Sequence, residues 1–224
     1  MELYKKYRPA TLERVRGQDT AVKVLKKMLD ENSVPHAILF TGPSGVGKTT
    51  LARVLKTALD CSDMDYQEVN GADDTGIDMV RGIRERMRIA PLSGSCRIYT
   101  IDECHALTAN AQKCLLKSLE DTPSHVYFFL CTTDPGKLAR AIITRCTEIA
   151  LKPIKNEQIA ELLSYVARKE QMTLSEDVLV KIVEHSQGSA RQALVHLDTI
   201  KGIAEEADQL DAIVPNRAQA AAID

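Results

Sequence analysis

The stretch Gly42-Pro43-Ser44-Gly45-Val46-Gly47-Lys48-Thr49 constrains the fold of this chain more than any other part of it. It follows a short apolar run and opens a helical pattern, so the chain must pass from strand to helix through a glycine-rich turn. Glycine lets the backbone curl until several N–H groups point inward, and the following helix adds the positive end of its dipole. Such a turn is a cradle for phosphate, and its residues Gly42, Pro43, Ser44, Gly45, Val46, Gly47, Lys48, Thr49 and Thr50 are the expected contacts. Lys48 would neutralise the β and γ phosphates of ATP, and Thr49 would offer its hydroxyl to Mg²⁺. A glycine-rich turn without a ligand gives neither Lys48 nor Thr49 a reason to be there.

The rest of the chain supplies a frame for that turn. β-branched and apolar runs over 37–40, 66–69, 97–101, 126–131 and 147–151 predict five strands, with helical spacing of apolar residues over 20–31, 48–59, 77–88 and 108–119. Strand and helix in alternation predict an α/β fold, a parallel sheet with helices on both faces. After Pro153 the strand signal stops, and three amphipathic helices are expected over 156–171, 175–186 and 189–204, opened by the capping residues Asn156, Ser175 and Ser189. The expected organisation is a nucleotide-binding domain over 1–152, a small helical domain over 153–204, and a tail over 205–224 that loses periodicity and carries Ala-Gln-Ala-Ala-Ala.

Two further clusters fall where open α/β sheets bind ligands, at the carboxyl ends of strands. Asp102-Glu103 ends one apolar run; Asp102 would hold the Mg²⁺ shell and Glu103 would deprotonate the attacking water, although two solvated acids at a strand end are common. Thr132-Thr133-Asp134-Pro135 ends another, and a hydroxyl there would reach the γ-phosphate or the water, or else simply form a polar turn before proline.

Composition excludes several classes. With 44% hydrophobic and 27% charged residues in 224, the chain is an ordinary globular one, neither disordered nor fibrous. No apolar stretch approaches the ~20 residues that span a bilayer, and the first ten residues carry Lys5, Lys6 and Arg8 without an apolar run behind them, so neither a membrane span nor a secretory signal is expected. Six cysteines, none in CxxC spacing, predict reduced core thiols in a cytoplasmic protein and no structural zinc. A net charge of −2 confines any nucleic-acid contact to a local patch, for which Arg81, Arg84, Arg86 and Arg88 in one helix are the candidates beside the reading of a charged, solvated face. Six Tyr, three Phe and no Trp make base stacking an improbable main mode.

Taken in order, Lys6-Tyr7-Arg8-Pro9, Arg16-Gly17-Gln18, the phosphate loop, Asp102-Glu103-Cys104-His105, Thr132-Thr133-Asp134-Pro135, Thr144-Arg145-Cys146 and Gly188-Ser189-Ala190-Arg191-Gln192-Ala193-Leu194 resemble the AAA+ ATPase subunits of DNA polymerase sliding-clamp loaders. The likeness is to the bacterial tau/gamma subunit, with kinship to replication factor C small subunits and phage clamp-loader ATPases, and it covers residues 4–204. It implies a P-loop AAA+ core with a three-helix lid, and an ATPase that works with other clamp-loader subunits, a sliding clamp and the backbones of primer-template DNA. It also implies that Arg145 is an arginine finger for ATP on a neighbouring subunit, Arg191 the sensor arginine of the lid, Thr133 the first sensor, and Tyr7, Arg8, Pro9 and Gly17 part of the segment that wraps the adenine. The clamp would be gripped near the arginine-rich helix, where Ile83, Met87 and Ile89 are candidate contacts, with core packing the expected fate of at least two. Thr144 stands where the family has Ser, the zinc-binding cysteine insert of the bacterial subunits is missing, and the sequence stops where the family's helical collar would begin. A branch-migration ATPase and a nucleotide-binding scaffold without turnover are the rival readings. Thr144-Arg145-Cys146 and Tyr7-Arg8-Pro9 weigh against the first, and the complete set Lys48, Asp102, Glu103 and Arg145 against the second.

Overall fold

Residues 1–213 are described by the computed structural model. Five strands, β1 (Ala37–Thr41), β2 (Tyr66–Asn70), β3 (Arg97–Asp102), β4 (Val126–Thr132) and β5 (Thr147–Ala150), form one sheet in the order β2-β3-β4-β1-β5. Every pairing is parallel. All five residues of β1 are buried, as expected for the central strand of a sheet covered on both faces. Its side chains alternate between two cores: Ile38 and Phe40 join Leu25, Leu51 and Leu55, whereas Leu39 joins Ile83, Leu115 and Ile142. The helices behind those contacts are α2 (Asp19–Asp30) and α3 (Lys48–Ala58) on the first face, and α4 (Ile77–Arg86), α5 (Ala109–Glu120) and α6 (Arg140–Ile143) on the second.

The strand order positions the chemistry. Because β4 lies between β1 and β3, three consecutive carboxyl ends present the phosphate loop, Thr132-Thr133 and Asp102-Glu103 side by side. The register pairs Thr41 with Thr132 and Ile101 with Leu130, so these ends are nearly level.

The arginine-rich helix is shorter than its sequence pattern suggests. It stops at Arg86, and Arg88 lies beyond it, so the four arginines are not all in one helix as expected. The cause is Arg97, whose guanidinium takes the carbonyls of Arg86 (2.8 Å) and Ala90 (3.2 Å) and also meets buried Asp65 (3.0 Å), so the helix end is satisfied from outside just before Pro91.

The helical lid consists of α7 (Asn156–Lys169), α8 (Glu176–Ser186) and α9 (Ala190–Thr199), packed around Ile159, Leu163, Val178, Ile182 and Leu197. Ser175 and Ser189 cap as expected, accepting from the N–H groups of Val178 (3.3 Å) and Gln192 (3.2 Å). Asn156 does not: it is already the first helical residue, and Lys155 ahead of it makes no side-chain cap. The third helix ends at Thr199 rather than 204, a turn before Gly202 at φ +88°. Beyond it, α10 (Glu206–Ala212) occupies a stretch whose sequence shows no periodicity; Gln209 donates to the Ile203 carbonyl (2.7 Å), and Ile213 enters the lid core. The Ala-Gln-Ala-Ala-Ala segment lies outside the described residues. At the other terminus, the short helix α1 (Leu3–Lys6) packs on the lid, with Leu3 fully buried in its core and Tyr4 and Tyr7 against it.

The cysteines are free thiols; five are buried and Cys146 is half-buried. Burial pushes the Cys146 thiol up to about 12, and Cys104 and Cys131 also titrate above the usual thiol range for the same reason. No helix among the described residues is long and apolar enough to cross a membrane.

Candidate functional site

The phosphate loop joins β1 to α3 through glycines at φ +141° (Gly42), +76° (Gly45) and +112° (Gly47), angles that side-chain-bearing residues rarely adopt. At Gly45 the constraint is also steric, since a Cβ would stand 2.0 Å from Ser189 Oγ and 3.1 Å from Arg191 Cβ. The lid therefore sits directly on the loop, and the Arg191 N–H points at the Gly45 carbonyl (3.4 Å).

Lys48 is 5% exposed and donates to the carbonyls of Gly42 and Pro43, each at 2.8 Å. Burial lowers its proton affinity, and the nearby carboxylates of Glu103 and Asp102 oppose that shift. The ammonium is curled over its own loop with no anion in direct contact, poised for a phosphate. Thr49, at the first turn of α3, donates its hydroxyl to Asp102 Oδ2 (2.8 Å). A hydroxyl and a carboxylate meeting beside a phosphate cradle are the hard oxygen donors that Mg²⁺ takes along with phosphate oxygens and water, so the residues fit a nucleotide with its metal.

Glu103 follows Asp102 at φ +46°, left-handed backbone that is uncommon for a residue with a side chain and is seen at sites where function over-determines geometry. Its Oε2 accepts from the hydroxyl (3.0 Å) and the N–H (3.3 Å) of Thr133, and His105 Nδ1 lies 3.2 Å away. His105 is in turn 3.0 Å from Thr132 Oγ1, which accepts from the Asp134 N–H (3.0 Å). Thr133 thus holds the carboxylate of Glu103, and Thr132 holds His105 and the Asp134 N–H beside it. His105 is a member of this network that the sequence singled out only as part of a motif.

Lys48, Thr49, Asp102 and Glu103 border one cavity of about 760 Å³ between sheet and lid. Ser44 to Thr50 form its floor with Asp102 and Glu103, Tyr7, Arg8 and Pro9 one wall, and Arg191 another. Tyr4, Val15, Gln158, Leu162 and Tyr165 also line it, and no motif marks them, because their positions read as core; Leu194, the last residue of the lid motif, lines it too. Gly17 supports the wall indirectly: at φ +74° a Cβ there would stand 2.5 Å from Ile154 Cγ2. Buried Gln18 stitches the same joint, donating to the carbonyls of Val46 (3.2 Å) and Lys152 (2.8 Å) and accepting from the Lys152 N–H (3.3 Å).

Among the candidates, Gly17, Gly42, Pro43 and Thr133 do not line the cavity themselves, and neither does Arg145. Arg145 follows α6 in the turn before β5, is 40% exposed, and pairs with Glu120 at 2.5 Å. Its environment is linked to the catalytic edge by buried Gln112, which donates to the carbonyls of Leu107 (3.1 Å) and Lys137 (3.3 Å) and accepts from the Ala139 N–H (2.8 Å) just ahead of α6.

A parallel sheet with a phosphate loop on its central strand, acids two strands away, and a helical lid bearing an arginine over the cavity defines a nucleotide-binding module of the AAA+ ATPase class. The chain belongs to the DNA polymerase III delta-subunit family, whose model matches residues 17–155, and an RCF1/5-like AAA+ ATPase lid domain matches residues 161–201. Similar curated proteins include DNA polymerase III subunit gamma/tau of Mycoplasma pneumoniae (32% identical, over 91% of this chain and 33% of that protein) and subunit tau of Bacillus subtilis (34%, 88% and 38%). Subunit tau of Escherichia coli is 33% identical over 86% of this chain and 33% of its own length. The chain therefore spans about a third of the length of these relatives. Among solved structures, the RuvB Holliday junction branch migration motor of Thermotoga maritima superposes with a TM-score of 0.71 over 94% of this chain and 69% of that one. At 21% identity that likeness is one of fold alone.

Proposed function

We propose that the chain is an ATP-binding and ATP-hydrolysing subunit of a clamp-loader complex that places a sliding clamp on primed DNA. The observation that carries this reading is the division of the catalytic set: Lys48, Thr49, Asp102, Glu103 and Arg191 border one cavity, while Arg145 stands apart and half-exposed. A site lacking its finger and a finger lacking a site suit an enzyme completed by a neighbouring subunit. The names of the similar proteins, DNA polymerase III subunits, support the replicative setting.

Lys48 and the loop N–H groups hold the phosphates in this reading, and Thr49 and Asp102 would hold Mg²⁺, which would supply neutralisation of phosphate charge. Glu103 takes the proton of the attacking water, and Thr133 orients Glu103. Arg191 meets the phosphates from the lid side, and Arg145 of the adjacent subunit neutralises charge developing on the transferring phosphoryl group. Tyr7, Arg8 and Pro9 enclose the nucleoside end.

The outer contacts are narrowed by burial. Ile83 and Met87 are fully buried in the core and are unavailable to a clamp, which leaves Ile89, 57% exposed, with Met64 (73%) and Leu92 (65%) as the apolar surface at the opposite end of the sheet. Of the arginines, Arg81 is paired with Asp78 and Arg84 with Asp121; among the described residues Arg86 and Arg88 have no carboxylate partner and are the better candidates for DNA phosphates.

The test is turnover against protein concentration, with and without primed DNA and a candidate clamp, for the parent and Arg145→Ala. An arginine finger contributes about 10³ to 10⁵ in rate. Arg145→Ala should therefore lose most turnover and keep its ATP affinity; equal turnover by the two would remove Arg145 from the mechanism.

A further inference from the structure

Glu170 lies at the carboxyl end of α7, and no catalytic argument uses it. Its side chain is only 6% exposed, yet three donors converge on it. Lys6 Nζ lies 2.6 Å from one carboxylate oxygen, the Tyr7 hydroxyl donates to that same oxygen, and Lys201 Nζ lies 2.9 Å from the other. These donors come from separate pieces of chain: Lys6 and Tyr7 from the amino-terminal segment, and Lys201 from the turn that ends α9.

Besides this carboxylate, apolar packing and one backbone hydrogen bond hold the amino-terminal piece on the lid. α1 is four residues long, too short to be helical by itself, and its place is set by Leu3 in the lid core and by the Leu3 N–H on Asp198 Oδ2 (3.3 Å). From there the chain runs directly into Tyr7, Arg8 and Pro9, which wall the cavity. The Tyr7 ring faces the cavity with its hydroxyl tied back to Glu170, and it meets Tyr165 of α7 edge-on at 6.3 Å. Hydrogen bonds from Lys201, Lys6 and Tyr7 hold the Glu170 carboxyl down to about 2, and the same carboxylate raises the Tyr7 phenol to about 12, so the anion and the neutral phenol persist across the physiological range.

We propose that Glu170 is a positioning residue for nucleotide binding: it fixes Tyr7, and through Tyr7 the amino-terminal strap, against the nucleoside end of the cavity. This rests on reading the cavity as a nucleotide site. Without the carboxylate, Tyr7 loses its anchor while the phosphate loop, on the other side of the cavity, keeps every contact described above. The lid that carries Arg191 thereby also carries the wall against the base, so both ends of the nucleotide meet groups mounted on one body.

Calorimetric titration of the chain with ADP, for the parent, Glu170→Gln, Tyr7→Phe and the double variant, tests this. A hydrogen bond to a charged group is worth about a tenfold change, so each single variant should weaken ADP about tenfold, and the double variant should be no weaker than either. Thermal melting checks that each variant is folded, and Tyr7→Phe, which removes one hydroxyl, keeps the test alive should Glu170→Gln fail to fold. In that case Tyr7→Phe alone must weaken ADP. Unchanged affinity in Glu170→Gln or Tyr7→Phe, or losses that multiply in the double variant, would overturn the proposal. Lys48→Ala run alongside separates the two readings. If it binds ADP as the parent does, the phosphate-loop assignment fails; if it loses ADP while Glu170→Gln does not, only the role of Glu170 fails.

Discussion

In the proposed mechanism Lys48 and Glu103 do opposite work, and their surroundings make the two separable by mutation. Lys48 is buried against its own loop carbonyls, so Lys48→Ala removes the only loop cation and leaves the phosphates uncompensated. Nucleotide binding should fall below detection in a calorimetric titration; micromolar ATP affinity would contradict the assignment. Glu103→Gln keeps the shape of a side chain already held by Thr133 and loses only the base. It should bind ATP as the parent does and hydrolyse it at least about a hundredfold more slowly. These roles were readable from residue types and spacing. The hydrogen bonds from Thr133 to Glu103, and His105 beside them, were not, because they depend on β3 and β4 lying next to each other with matched ends, a property of strand order and not of local sequence.

At the scale of elements, the joints between them are more fragile than the elements themselves. Gly45→Ala would need a left-handed alanine and a Cβ 2.0 Å from Ser189, where loop and lid touch. The lid should lift, and nucleotide affinity should drop by about tenfold or more while the fold is retained, as titration and circular dichroism would show. Asp65 guards a second joint. Burial alone would raise its carboxyl, but the N–H groups of Leu92 and Ser93, with Arg97 and Ser62, hold it well below the usual carboxylate range. A depressed folded value means that its contribution to stability is complete above the unfolded value of about 3.9 and is lost as pH falls below it. Asp65→Asn should cost about 3 kcal/mol at neutral pH by leaving Arg97 buried without its anion, and should flatten the acid limb of stability below about pH 4. Denaturant melts at pH 7 and pH 3 would check both; an unchanged difference between the two pH values would contradict the role of Asp65. The strands were legible because period-2 burial in a covered sheet leaves nearly continuous apolar runs, as in β1. The end of α4 was not, because its last carbonyl is taken by Arg97, eleven residues further along the chain.

At the scale of the molecule, the sheet carries the phosphate loop, and the lid, with the amino-terminal strap packed on it, covers the cavity. The lid helices could be read from apolar spacing and two capping serines, but the docking of Leu3, Tyr4 and Tyr7 onto them could not, since contacts nearly two hundred residues apart leave no local pattern. The central claim is that such a molecule is half of an enzyme, its own cavity needing Arg145 from a neighbour. The most direct measurement is turnover per chain in a mixture of Arg145→Ala and Lys48→Ala, with co-assembly confirmed by mass. The first variant contributes good pockets without fingers and the second fingers without working pockets. The account predicts that each alone is nearly inactive, that the mixture recovers part of the parent's turnover, and that the parent's turnover per chain rises with concentration. A co-assembled mixture as inactive as its parts, or dilute monomer as fast as the assembly, would contradict it.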